Sequence, residues 1–93
     1  MIGLRKSWKL TTKHLLASRS LLPDDLYFEE AKEFERQFDE YLDHNELGLA
    51  LDCAEQMGIL CNAPDEFWQE LEKAALNMGL EDEAKRFRDI QDT

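Results

Sequence analysis

The cysteines and histidines of this sequence are Cys53, Cys61, His14 and His44. A Cys–His nucleophile pair needs a thiolate, and both cysteines fall in an apolar helical pattern where burial disfavours that charge. They stand eight positions apart, roughly 12 Å of rise on one helix, which is beyond the reach of a disulfide. They read as reduced, buried thiols. Glu40 and His44 are four apart, with Asp43 and Glu46 beside them. Two readings stay open there: a weak divalent-cation site, or, the favoured one, a hydrogen-bonded corner histidine. Bonded to a carboxylate, that histidine would favour its charged form and the corner would loosen as pH rises. The chain has no glycine-rich phosphate loop, no paired-cysteine zinc spacing and no His-Glu-x-x-His. The expectation is a protein without catalytic residues, metal or cofactor, and therefore not an enzyme.

Charge says more than reactive groups do. The chain of 93 residues carries a formal charge of −10, with 43% hydrophobic residues, enough for one core and a single helical domain over residues 1–93. An excess of acid disfavours direct contact with nucleic acid or an anionic membrane. No apolar run approaches the ~20 residues of a membrane span, and the start lacks a secretory h-region, so a cytoplasmic protein is expected. Arg5, Lys6, Lys9, Lys13 and Arg19 give residues 1–23 a charge of +5, and the remainder carries −15. The basic arm and the acidic body should attract each other. A basic, acid-free start also fits an organellar transit peptide, a reading that the tight Pro23-Asp24-Asp25 link to the next helix disfavours.

Five apolar stripes must position these groups. Leu4, Trp8, Leu15, Leu16, Leu21 and Leu22 predict a helix over about 12–21 that Pro23 ends. Asp24 or Asp25 then caps a second helix running to Asp43, with Tyr27, Ala31, Phe34, Phe38, Tyr41 and Leu42 inward. Asn45 is expected to cap a third, over 46–61, buried through Leu47, Ala50, Leu51, Ala54, Met57 and Cys61. That helix is also apolar behind, at Leu49, Ile59 and Leu60 with Cys53 at the edge, and the neighbouring helices are expected to cover it on both sides. Asn62 and Pro64 open a fourth helix, which carries Phe67, Trp68, Leu71, Ala74, Ala75 and Met78 and closes at Gly79. Leu80, Ala84, Phe87 and Ile90 or Gln91 mark a fifth over about 81–90. No internal repeat stands out. The fold class is all-α, four to five short helices in one compact bundle or orthogonal array.

What remains for function is a surface. Glu29, Glu33, Glu40, Asp43 and Glu46 lie on the outer side of the second helix or just beyond it. With His44 they form the expected partner-binding set, and Leu49, Asp52, Gln56 and Leu60 are expected nearby. Apolar anchors rimmed by carboxylates suit a tight, electrostatically steered binder of a basic protein. The alternative is a non-catalytic helical adaptor or regulatory subunit that docks a partner helix or self-associates.

The stretch Phe38-Asp39-Glu40-Tyr41-Leu42-Asp43-His44-Asn45-Glu46-Leu47-Gly48-Leu49-Ala50-Leu51-Asp52 resembles small bacterial immunity proteins of contact-dependent growth-inhibition and polymorphic-toxin systems. The likeness extends to Leu15–Pro23 upstream and to Phe67–Glu72 and Ala74–Leu80 downstream. It implies an all-helical cytoplasmic protein that binds and neutralises the C-terminal domain of a cognate toxin, often a nuclease. It also counts against a transit peptide. One copy per toxin is expected in the inhibitory complex, with a homodimer as the alternative state of the free protein.

Overall fold

Why the helices begin and end where they do is the key to this fold. The computed structural model describes residues 2–91, with side chains from Trp8 onward. Five helices follow one another: α1 (Ile2–Ser20), α2 (Glu29–Asp43), α3 (Leu47–Leu60), α4 (Asp65–Asn77) and α5 (Glu81–Gln91). Among the described residues there is no strand, and the all-α bundle expected from the stripes is the observed architecture. The radius of gyration, 12.5 Å, matches the ~12 Å of a compact chain of this length.

α4 lies at the centre, packed on α1 along one side and on α5 along the other, and α2 packs on α3. α3 joins the two halves through smaller contacts with α1 and α4. The shared core holds Leu15, Leu26, Phe38, Leu51, Met57, Phe67, Leu71 and Phe87, all fully buried. Phe67 stands edge-on to Trp68, with ring centroids 5.0 Å apart, and Trp68 lies 5.9 Å from Phe87. Leu4 of the first stripe lies outside the described side chains.

α1 differs from its expected form at both its start and its buried face. It runs back to Ile2, because nothing between Leu4 and Thr11 breaks a helix. Thr12 caps nothing; its hydroxyl donates to the Trp8 carbonyl one turn back, at 3.1 Å. The buried face is Thr11, Leu15 and Ser18, continued by Leu22 just past the helix end, whereas Trp8, Leu16 and Leu21 are exposed. Two polar residues can sit there because both are satisfied: Ser18 donates to the Leu15 carbonyl at 2.6 Å, and Thr11 accepts from Asn77 of α4 at 2.7 Å. Among the described residues, two contacts between ionisable side chains join the basic arm to the acidic body. His14 bonds Glu70 of α4 at 2.7 Å, and Arg19 pairs with Glu35 of α2.

α2 begins at Glu29, later than Asp24 or Asp25 would place it, and neither aspartate caps it. Tyr27 therefore lies outside the helix, and it is exposed instead of heading the aromatic stripe. Asn45 and Asn62 are likewise not caps of the helices that follow them. Both have left-handed backbone (φ +56° and +52°), as Gly79 has at +75°. Each ends the helix before it with the same paired bonds: Glu46 N–H to the Tyr41 carbonyl (2.8 Å), Ala63 to Gly58 (2.9 Å) and Leu80 to Ala75 (2.9 Å). Asparagine is the non-glycine residue that best tolerates this conformation, so a residue suited to opening a helix here closes one. The three positions are evenly spaced, and the backbone repeats a helix-and-turn unit that the side chains do not advertise. α2, α3 and α4 all start without a side-chain cap; acids in the first turns of α2 and α4 offset the helix dipole there instead.

Because glycine adopts the left-handed region freely, Asn45→Gly and Asn62→Gly should each stabilise the fold by about 0.5 kcal/mol. Asn→Ala at the same positions should cost about 1 kcal/mol. Thermal unfolding midpoints compared across the four variants check this.

Candidate protein-binding surface

The amphipathic sequence of α2 buries Ala31 and Phe38 and half-buries Phe34, Tyr41 and Leu42. That fixes Glu29, Glu33, Arg36, Glu40 and Asp43 on the outside. Arg36 sits three residues after Glu33 and four before Glu40, where a helix brings all three together. Its guanidinium donates to Glu33 (Nε–Oε2 3.1 Å) and reaches Glu40 (Nη1–Oε2 3.5 Å), while Lys32 lies 3.7 Å from Glu29. The bonds from Arg36 and then Gln37 hold the Glu33 carboxyl below its usual range. Three of the six expected binding residues, Glu29, Glu33 and Glu40, are thus partly neutralised within their own helix.

The other three gather at the corner between α2 and α3. His44 is exposed and its Nδ1 lies 2.8 Å from the Glu40 backbone carbonyl. Its partner is therefore a carbonyl and not a carboxylate, since the Glu40 side chain turns to Arg36. Asp43 and Glu46 are exposed, and among the described residues neither forms an ion pair.

Glu46 also opens a groove of about 380 Å³ lined by Gly48, Leu49 and Asp52 of α3 and by Leu80 and Glu83 at the start of α5. Nothing lies within 4 Å of where a Gly48 side chain would begin, so the absent side chain leaves the groove open. Leu49 is 43% exposed. The Asp52 carboxyl is pushed up by burial first, and then by the negative charges of Glu55 and Glu83, with Arg86 opposing them. Asp52 and Glu83 form no ion pair among the described residues; Arg86, committed to Glu55, attracts both only at longer range.

Comparison with protein-family models, with curated proteins and with solved structures finds no match.

The back of α3 is only partly covered. Cys53 is buried and Leu60 packs on the core, but Leu49 and Ile59 remain 43% and 55% exposed. The expected cover on both sides fails because α1 lies mainly along α4 and makes only minor contact with α3.

Sequence reasoning missed the Glu55–Arg86 pair. It is bidentate (Nε–Oε2 2.7 Å, Nη2–Oε1 2.8 Å), joins α3 to α5 behind the groove, and sets the guanidinium 5.5 Å from the Phe87 ring centre. A buried carboxylate in the middle of an apolar helix is the signal that calls for such a partner.

Neither cysteine is set up as a nucleophile. Burial pushes both thiols up, and Cys53 faces Gln37 at 3.9 Å. Among the described residues no three of His, Cys, Asp and Glu converge to hold a metal ion, and no helix is long and apolar enough to cross a membrane.

Proposed function

We propose that this protein is a cytoplasmic immunity protein that binds and neutralises a basic, nuclease-type toxin domain. The observation that carries the reading is the uneven pairing of its acids. Among the described residues, Glu33, Glu35, Glu55, Glu70 and Glu72 each have an arginine or lysine within 4 Å, whereas Glu46, Asp52 and Glu83, which line the groove beside the exposed Leu49, form no ion pair. Acids without an internal partner add little to stability in water, but they raise the rate of encounter with a positively charged surface. Leu49 and the groove beside it supply apolar contact that slows dissociation. The resemblance at Phe38–Asp52 covers this same corner and supports a toxin as the partner. Binding requires no catalytic group, metal or cofactor of this chain.

The test is co-purification with the protein encoded immediately upstream, together with rescue of cells that express it. Glu46→Lys with Asp52→Lys should weaken association about 100-fold and abolish rescue. Glu33→Lys with Glu40→Lys should cost about tenfold, because Arg36 already offsets those acids. Undiminished rescue by both double variants would contradict the reading. The exposed Leu49 and Ile59 favour one other reading, a self-associating adaptor. A stable dimer in sedimentation that Leu49→Glu dissolves would support it.

A further inference from the structure

The segment between α1 and α2 is irregular in secondary structure but firmly held. Leu22 and Leu26 are buried and anchor it to the core. Leu21 and Leu22 N–H groups bond the Ser18 and Arg19 carbonyls at 3.0 and 3.1 Å, closing α1. Pro23 fixes its own backbone angle. The Arg19 guanidinium reaches across the turn, donating to the carbonyls of Pro23 and Asp24 at 3.1 and 3.2 Å while its Nε holds Glu35 of α2 at 2.8 Å.

At the end of this pinned loop, two aromatic side chains point into solvent. Tyr27 is 81% exposed and Phe28 is 51% exposed. Phe28 immediately precedes α2, with extended backbone and no side-chain cap, so local helix chemistry does not account for an aromatic residue there. Burying such a pair would remove a few hundred Å² of apolar surface from water. The flanking residues carry a single sign of charge: Asp24, Asp25, Glu29 and Glu30 are all exposed, and among the described residues only Glu29 of these four has an ion-pair partner, Lys32 at 3.7 Å. Tyrosine is enriched among residues that dominate binding energy, and a loop already fixed in place gives up little conformational freedom on binding.

We infer that Tyr27 and Phe28, presented by the Arg19-pinned loop, are the anchor that enters an apolar pocket ringed by lysine or arginine on the basic protein partner. The acids fix the sign of that rim by charge complementarity, and the aromatics fix the apolar character of the pocket within it. This rests on the reading of the chain as a binder of a basic protein, and adds a second point of attachment away from the α3–α5 groove.

The experiment titrates the upstream-encoded protein, inactivated if toxic, into the full chain and follows affinity and amide hydrogen exchange. Wild type should bind with exchange slowed over residues 24–30. Tyr27→Ser with Phe28→Ser should weaken binding about 100-fold at an unchanged unfolding midpoint, since both side chains are exposed. Asp25→Lys with Glu30→Lys should chiefly slow association. Binding by wild type that is indifferent to the aromatic double variant, or that leaves exchange at 24–30 unchanged, overturns the anchor and leaves the basic-partner reading standing. No binding by wild type overturns both.

Discussion

Gly58→Val is expected to destabilise the protein by about 3 kcal/mol, a large part of the stability of a domain this small. A Cβ at residue 58 would overlap Cε1 of Phe67 and lie 2.9 Å from its Cζ and 3.0 Å from Cη2 of Trp68. The Phe67 ring has nowhere to retreat. It is fully buried and stands edge-on to Trp68, which is itself backed by Phe87. Gly58 is thus the place where α3 comes close enough to α4 to close the bundle, and its missing side chain is a packing requirement. Gly58→Ala places the same Cβ against the ring, so the roughly 1 kcal/mol it gains in helix propensity offsets only part of the overlap and a net loss of about 2 kcal/mol is expected. The check is chemical denaturation of both variants with and without Phe67→Leu. Relief of the valine penalty in the double variant identifies the ring as the obstacle.

Arg19→Ala should cost about 2–3 kcal/mol, the second large effect. One guanidinium joins the end of α1 to Glu35 of α2 and to the carbonyls of Pro23 and Asp24, so its loss separates two helices and releases the loop between them. Arg19→Lys should recover only a minor share, because a single ammonium cannot serve a carboxylate and two carbonyls lying in different directions. Hydrogen exchange should accelerate over residues 21–26 in both variants by more than it does in α5. Uniform acceleration along the chain would mean that Arg19 supports global stability without a special role in the loop.

The sequence was most legible where periodicity meets burial. The inward residues of α3, α4 and α5 stand out because apolar side chains recur at helical steps and the structure buries them. α1 was less legible because its buried face includes Thr11 and Ser18, whose hydroxyls are satisfied by Asn77 and by a carbonyl of the same helix. Helix boundaries misled for a different reason. Asn45 and Asn62 have the side chain of an opening cap, but their positive φ closes the preceding helix, and backbone angle is not written in residue type alone. Tyr27 fitted the spacing of the α2 stripe, yet Leu26 takes the buried position and turns Tyr27 outward.

The acids of the candidate surface were visible from the first, but which of them are neutralised was not. The Arg36 cluster follows from spacing within one helix and was open to reading. Glu55–Arg86 and His14–Glu70 join residues far apart in the chain, and only the fold brings them together. The groove at Glu46, Asp52 and Glu83 depends in the same way on α5 returning beside α3.

Calorimetric titration of the protein encoded immediately upstream, the proposed toxin, with wild type and with Glu46→Lys/Asp52→Lys tests the central claim most directly. Tight binding by wild type, weakened about 100-fold by the double variant and falling as salt rises, is the predicted result. No binding by wild type, or equal binding by both proteins at every salt concentration, would contradict it.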